Sequence, residues 1–169
     1  MFRLNRILRR FSFAAKRKCY RKGKIKEENE VGVSTEMSRN AFLSDAELSG
    51  ETGGPDGYDD YDFHLGHQKK GSLYFLLNGE NIVGGAILEE DGDSLNVYRI
   101  FVSTKEFRKG YGLRLMELIE EHFSKAKIFR LDTPEWNVRT NSFYQKCGYT
   151  AVGREHIPEF DLILYEKKR

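Results

Sequence analysis

Three apolar runs separated by tight-turn signals constrain the fold of this chain more than any other feature of its sequence. The runs cover residues 73–77, 82–88 and 95–102. Asn78-Gly79 follows the first run and supplies the positive φ angles that tight hairpins need, and Asp91-Gly92-Asp93 separates the second run from the third. The pattern predicts a three-stranded antiparallel meander.

The apolar spacing changes after the meander. Leu115, Met116, Ile119 and Phe123 form a stripe within residues 112–125, which predicts an amphipathic helix packed on the sheet. The elements predicted beyond it are a strand over 128–132, a helix over 137–147 that ends before Gly148, and strands over 150–152 and 160–165. The order βββαβαββ from residue 73 onward indicates an α/β fold.

The amino-terminal part of the chain predicts less regular structure. Residues 24–26 predict a short strand and residues 31–42 a helix. Residues 44–70 are rich in Gly, Asp and Tyr, and their densest turn signal is Gly53-Gly54-Pro55-Asp56-Gly57-Tyr58-Asp59. We interpret 44–70 as a long loop with at most one helical turn, and loops of this length in a compact domain are often functional.

The positive charge of the chain is concentrated at its start. Eleven of the 28 lysines and arginines lie in residues 1–26, which contain no acid, so the rest of the chain carries 17 bases and 26 acids. The net charge of +2 is therefore no evidence for a nucleic-acid-binding domain. We predict a basic extension over residues 1–20, disordered or an amphipathic helix, and one domain over residues 21–169.

Three interpretations of the extension stay open. Its apolar residues recur at helical spacing among arginines, as in mitochondrial presequences. The same pattern suits a basic helix on anionic lipid or on a partner. A solvated extension without a function is the third interpretation.

The two cysteines, Cys19 and Cys147, lie far apart in unlike contexts, which predicts neither a disulfide framework nor a metal site. The sequence also lacks an apolar run of the ~20 residues that span a bilayer, and a secretory cleavage signal. We therefore expect a reducing, cytoplasmic location, without a membrane span.

Lys109-Gly110-Tyr111-Gly112 lies between a predicted strand and a predicted helix. The segment lacks the Gly-Lys-Ser/Thr ending of a P-loop, and Leu115 occupies the third Gly position of the dinucleotide fingerprint. A Gly-x-Gly turn at a helix start directs backbone N–H groups and the positive end of the helix dipole at one spot, which suits a pyrophosphate.

Several motifs together resemble the GNAT superfamily of acyl-CoA N-acyltransferases. Arg99-Ile100-Phe101-Val102 and Arg108-Lys109-Gly110-Tyr111-Gly112 resemble its fourth strand and its pyrophosphate loop. Asn137 followed by Phe143-Tyr144-Gln145-Lys146-Cys147-Gly148-Tyr149 resembles its second acyl-CoA signature. Asp132-Thr133-Pro134-x-Trp136, with the turn-rich segment 53–59, is similar to a bacterial branch of the superfamily.

The resemblance covers about residues 21–166 and implies a GNAT fold, with a mixed, mostly antiparallel sheet flanked by helices. It implies an N-acetyltransferase that moves the acetyl group of acetyl-CoA, a co-substrate, directly to a primary amine. The strands around Phe101 and Asp132 would splay apart for the pantetheine arm, and Tyr144 takes the position of the family's general acid. The coenzyme-binding residues implied are Phe101, Val102, Arg108, Lys109, Gly110, Tyr111, Gly112, Leu113, Asn137, Phe143 and Tyr144. For Phe143, a plain core position is the more frequent role.

The pyrophosphate loop departs from the family pattern of Arg or Gln, two residues, Gly, one residue, Gly or Ala. Phe107 stands at the first position, and Arg108 comes one position late. The loop therefore looks one residue shorter, and we expect the charges of Arg108 and Lys109 to offset a lost amide donor.

The general base does not follow from the sequence, because Tyr98 stands where many family members carry a glutamate. Asp132, Asp59, His64 and His67 are candidates, and a water chain would need no protein base. An acid-rich segment favours a cationic amine, a peptide N-terminus or a lysine as acceptor. It contains Asp56, Asp59, Asp60 and Asp62.

Two rival functions use the same features. A GNAT fold without catalysis would act as an acyl-CoA sensor or interaction module, and a nucleic-acid binder would use the basic extension. The intact Tyr144 favours an enzyme. We expect acetyl-CoA and a small-molecule or peptide amine as partners, no nucleic acid, and compatibility with a homodimer.

Overall fold

The computed structural model describes residues 2–6, 24–79 and 81–169. In this part of the chain a seven-stranded sheet has the order β1-β2-β3-β4-β5-β7-β6. The strands are β1 (Phe2–Arg6), β2 (Leu73–Asn78), β3 (Asn81–Asp91), β4 (Ser94–Val102), β5 (Ile128–Pro134), β6 (Thr150–His156) and β7 (Asp161–Lys168). The helices are α1 (Lys24–Ser49), α2 (Tyr61–Lys70), α3 (Tyr111–His122) and α4 (Val138–Lys146), with a 3₁₀ turn over Thr104–Glu106.

The predicted meander and the elements after it are confirmed. Strands β2, β3 and β4 pair antiparallel, and Gly79 and Gly92 take positive φ angles of 64° and 60° in the two turns. Strand β5 pairs parallel with β4 and antiparallel with β7, so the sheet is mixed and mostly antiparallel, as predicted.

The sheet separates two hydrophobic clusters. The larger one joins the sheet to α3 and contains Leu115, Ile119 and Tyr144. The smaller one lies on the other face, where residues of β2, β3 and β4 contact Ala41 of α1. The side chains of β4 therefore belong to different cores on the two faces of the sheet.

The predictions for residues 24–70 are partly wrong. The strand over 24–26 and the helix over 31–42 are a single helix, α1, and α2 occupies part of the predicted loop. The buried positions of both helices include polar side chains, among them Ser34, Ser38 and His64, so apolar periodicity could not reveal them.

Helix α2 is fixed by its ends rather than by an apolar stripe. The Asp60 carboxylate caps its start by accepting from the N–H of Asp62 at 2.7 Å and of Phe63 at 3.3 Å. Gly71 ends the helix with φ 74°. Asp60 therefore has a structural role within the acid-rich segment.

The amino-terminal extension differs from its prediction at one described segment. Phe2–Arg6 form a strand that pairs antiparallel with β2, with Phe2 opposite Asn78 and Arg6 opposite Tyr74, instead of a helix. The alternation of apolar and polar residues over 2–5 has the period of a strand. Residues 7–20 lie outside the described residues, and a domain boundary at residue 21 stays a prediction.

Deleting Phe2–Arg6 is expected to lower stability, because the edge of β2 loses a strand of hydrogen-bond partners. We expect a loss of at least about 1 kcal/mol, roughly 2–4 °C in Tm for a chain of this size. Thermal unfolding of the deletion variant beside the full chain measures the effect. An unchanged Tm would show that β1 contributes nothing to the domain.

Candidate active site

A gap opens in the middle of the sheet where β4 and β5 separate. Their parallel pairing covers only Ser94, Leu95 and Asn96 of β4, although β4 runs to Val102. Beyond the pairing, β4 is bonded only to β3, and the end of β5 only to β7. The predicted splay between Phe101 and Asp132 therefore exists, and it leaves backbone groups of β4 without a strand partner on one side.

The backbone of Val102 faces this gap. The N–H of Ser103 donates to the carbonyl oxygen of Val83 on the β3 side at 2.9 Å. Because successive N–H groups of a strand point to opposite edges, the N–H of Val102 points toward the gap. The Phe101 side chain is buried in the smaller core, and by the same alternation its N–H points to β3, so it is the backbone of Val102 that lines the gap here.

Close packing against two glycines fixes Phe101. A Cβ atom at Gly85 would lie 2.6 Å from the Phe101 ring, and one at Gly84 would lie 2.8 Å from the Phe101 carbonyl oxygen. Only glycine leaves room for this ring and backbone to lie against β3.

A bulge in β4 lies just below the gap. Ile87 pairs with Arg99 and Leu88 with Val97, so Tyr98 is the extra residue. The bulge places the side chains of Tyr98 and Arg99 on the same face, with the guanidinium carbon 4.2 Å from the centre of the Tyr98 ring.

The start of α3 lies at the end of the loop after β4. Gly110 precedes the helix with φ 83°, and no side chain caps it. The first intrahelical bond of this end comes from the N–H of Arg114, so the N–H groups of Gly112 and Leu113 have no acceptor within the helix. No acidic residue lies in this first turn, which leaves the positive end of the helix dipole open to an anion.

The side chains of this loop have different roles. Arg108 is exposed and takes φ 62°, a left-handed conformation that favours glycine and is costly for arginine. Lys109 forms an ion pair with Glu106 at 3.1 Å. The Tyr111 side chain belongs to the larger core and accepts a hydrogen bond from Asn78 at 2.8 Å, so only its backbone can reach a ligand. Leu113 is exposed.

Helix α4 lies across the gap from this loop. The Asn137 side chain caps its start, accepting from the N–H of Thr140 at 3.1 Å. Phe143 packs against the larger core, and a Cβ atom at Gly112 would lie 3.3 Å from its ring. Gly112 therefore allows α3 to approach α4.

Three ionisable side chains near the gap, those of Tyr144, Asp132 and Arg99, interact electrostatically. Burial raises the pKa of Tyr144, and nearby Asp132 raises it further, whereas Arg99 lowers it. The Tyr144 hydroxyl makes no hydrogen bond to any described residue and stays protonated at neutral pH. The Asp132 side chain reaches solvent, yet partial burial raises its pKa, an effect that Arg99 opposes and Glu155 reinforces.

A second group of side chains, not predicted from the sequence, links α1 to α4. Asp45 forms an ion pair with Arg139 and a hydrogen bond with Asn137. The Arg139 guanidinium carbon also lies 4.6 Å above the centre of the Phe107 ring. Phe107, at the position where the resemblance expects Arg or Gln, thus serves as a packing surface.

None of the remaining base candidates is among the groups that shift the pKa of Tyr144, although His67 lies near Tyr98 and Arg99. His64 is buried, with Nδ1 2.9 Å from the Ser34 hydroxyl and a hydrogen bond to the Tyr58 backbone. His67 is buried, with Nδ1 2.8 Å from the Ser72 hydroxyl. Burial lowers the pKa of both histidines, and Asp59 is exposed in the loop before α2. Asp132 is therefore the base candidate that the fold places beside Tyr144.

Comparisons with known proteins agree with this architecture. Residues 39–149 match the model of the Acetyltransferase (GNAT) family. A search among curated protein sequences gives no match.

Several solved structures share the fold at low identity. The PaiA N-acetyltransferase of Thermoplasma acidophilum, in complex with coenzyme A, gives a TM-score of 0.70 at 17% identity, over 84% of this chain and 94% of its own. The ribosomal-protein-S18-alanine N-acetyltransferase of Escherichia coli gives a TM-score of 0.66 at 12% identity, and the match covers 99% of this chain and 94% of that protein. An acetyltransferase of Bacillus subtilis in complex with CoA gives a TM-score of 0.57 at 20% identity, and the match covers 65% of this chain and 84% of that protein.

Proposed function

The chain belongs to the GNAT acetyltransferase family, and on that premise we propose that it transfers the acetyl group of acetyl-CoA directly to a primary amine. The observation that carries the proposal is the gap between β4 and β5, which has an uncapped helix start at one end and Tyr144 beside Asp132 along its side. Complexes of similar structures with coenzyme A support the choice of co-substrate.

The residues present fit acetyl-CoA. The N–H groups of Gly112 and Leu113 at the start of α3, with exposed Arg108 and Lys109 beside them, would hold the pyrophosphate. The edge of β4 that β5 leaves free would bond the amide groups of the pantetheine arm as a strand would. When bound, acetyl-CoA supplies an acetyl group activated as a thioester.

The protein residues divide the chemistry among them. Asp132 accepts a proton from the acceptor amine, and its raised pKa makes the carboxylate a stronger base than an ordinary aspartate. The N–H of Val102 donates to the oxygen on which negative charge develops. The Tyr144 hydroxyl gives its proton to the departing sulfur, because a phenol is protonated at neutral pH and can donate to a thiolate.

A non-catalytic acyl-CoA sensor is the second candidate. The exposed Asp132 carboxylate beside an unbonded Tyr144 hydroxyl favours the enzyme, because a sensor needs neither group. Turnover separates the two candidates, as described at the end of the Discussion.

Acetyl-CoA is expected to raise the Tm of the full chain. At about 100 times its Kd, a ligand that binds only the native state adds about 2.7 kcal/mol of stability, roughly 5–10 °C for a chain of this size. Acetyl-pantetheine, which lacks the pyrophosphate, should give a much smaller shift at the same concentration, because the start of α3 stays unengaged. Equal shifts with the two compounds would contradict the proposed pyrophosphate site, and no shift at millimolar acetyl-CoA would contradict the proposed function.

A further inference from the structure

The Arg99 side chain lies on the face of the sheet that carries Asp132, and neighbouring groups hold its guanidinium in place. One guanidinium nitrogen, Nη1, donates to the Tyr98 carbonyl oxygen at 2.7 Å, and the guanidinium lies over the Tyr98 ring. That ring is supported from α2 by Phe63 and His67, whose ring centres lie 6.4 and 6.0 Å from it. The guanidinium is therefore held by the β4 bulge and by a second element.

The charge of Arg99 has no ion-pair partner in the described part of the chain. By contrast, Arg130 pairs with Glu166 at 2.9 Å and Arg139 pairs with Asp45. Its Nε atom is buried and makes no hydrogen bond within the described part of the chain. Buried hydrogen-bond donors in proteins almost always have an acceptor. The described residues provide none for this N–H, so we expect a bound molecule to supply it.

The unbonded donors of Arg99 suit a planar anion. Nη1 is engaged by Tyr98, which leaves Nη2 and the buried Nε without a hydrogen bond to a described residue. These two donors are parallel and match the two oxygens of a carboxylate, which would reach Nη2 first. Arg99 lowers the pKa of Asp132, and within the described residues the two side chains form no ion pair, so the cation and the carboxylate lie near each other without being joined. This arrangement complements a molecule with a negative group close to a positive one.

We propose that the acceptor is an amino acid or an amino-acid-like molecule, whose carboxylate binds Arg99 while its amine lies at Asp132. The inference rests on the proposed acetyl transfer and names its acceptor class. It differs from the expectation of a purely cationic amine, which the acid-rich segment suggested. Asp60 of that segment is a helix cap, so its charge is already engaged in the fold.

The test compares each common L-amino acid with its carboxamide as acceptor for the full-length protein, using acetyl-CoA and thiol release to obtain kcat/KM. We expect the best amino acid to exceed its carboxamide by about 10- to 100-fold, the range of one charge-assisted bidentate contact. Arg99→Gln should remove this preference, because KM for the amino acid rises far more than KM for the carboxamide. Arg99→Lys should restore part of the preference, since it keeps the charge without the paired donors.

Arg130→Gln is the matched control, because Arg130 lies on β5 two residues before Asp132 and is paired with Glu166. It should keep the preference for the amino acid. Acetyl-CoA must still raise the Tm of each variant, which shows that the variant is folded.

The outcomes separate this inference from the proposed function. Turnover of carboxamides or other amines as fast as amino acids overturns the inference and leaves acetyl transfer standing. An equal loss of preference in Arg130→Gln overturns it as well. Absence of both coenzyme binding and thiol release overturns the proposed acetyl transfer itself.

Discussion

Tyr144→Phe is expected to lower kcat by about 10²- to 10⁴-fold, equivalent to about 3–5 kcal/mol of transition-state stabilisation, while the Kd for acetyl-CoA changes only a few-fold. The substitution keeps the ring, which contacts Phe143, Tyr149 and Tyr165 in the core, and removes only the hydroxyl group. A fall in kcat with unchanged affinity marks an interaction made in the transition state. Steady-state kinetics with calorimetric Kd values measures both quantities.

Tyr149→Phe is the matched control for this substitution. The Tyr149 hydroxyl is also buried and makes no hydrogen bond to a described residue, and its ring centre lies 6.2 Å from that of Tyr144. Its removal should leave kcat unchanged and stabilise the fold by about 1 kcal/mol, because an unsatisfied buried hydroxyl is lost. Equal kcat values for Tyr144→Phe and the wild type, under conditions where chemistry limits turnover, would show that Tyr144 only packs.

Asp132→Asn is expected to lower kcat/KM by about 10²- to 10⁴-fold at neutral pH, because the amide cannot accept the proton of the acceptor amine. Asparagine has nearly the same shape, so acetyl-CoA should still raise the Tm of the variant. Asp59→Asn, in the exposed loop before α2, should retain the wild-type rate.

The pH dependence of kcat/KM is a second test of the role of Asp132. A base acts only when it is deprotonated, so wild-type kcat/KM should rise with pH as the Asp132 carboxyl loses its proton. Burial raises the pKa of this carboxyl, which moves that rise to a higher pH than an ordinary aspartate would give. The rise should disappear in Asp132→Asn; a profile identical to the wild type would assign the base to another group.

Local signals in the sequence were enough to predict most of the fold after residue 72. The meander follows from its three apolar runs and from Gly79 and Gly92 in the turns between them. These turns need positive φ angles, which glycine adopts readily. Helix α3 follows from its apolar stripe. In α1 and α2, by contrast, buried Ser34, Ser38 and His64 interrupt that kind of stripe, and the sequence predicted a loop where α2 forms.

The candidate site was predictable only where its residues form a continuous motif. The segment Arg108–Gly112 and the helix that carries Tyr144 have sequence signatures, and these predicted the helix start and the helix that the structure has at these positions. The approach of Arg99 to Asp132 depends on a strand bulge and on parallel pairing that stops at Asn96, and neither feature has a local signature. A lone arginine inside an apolar strand was the one available hint.

The proposed function does not use the basic residues near the start of the chain. Within the described residues no helix is long and apolar enough to cross a membrane. The proposed chemistry involves only elements from α1 onward, so it can be tested without assigning a role to residues 7–23.

The most direct test of the central claim is release of free thiol from acetyl-CoA by the full chain in the presence of an amine panel that includes amino acids, peptides and diamines, with product identification. We expect thiol release that requires both acetyl-CoA and an amine and that yields the N-acetylated amine. The rate of thiol release should fall sharply in Tyr144→Phe and Asp132→Asn. A folded protein that binds acetyl-CoA but releases no thiol with any amine of the panel would contradict it, and would favour a non-catalytic acyl-CoA sensor.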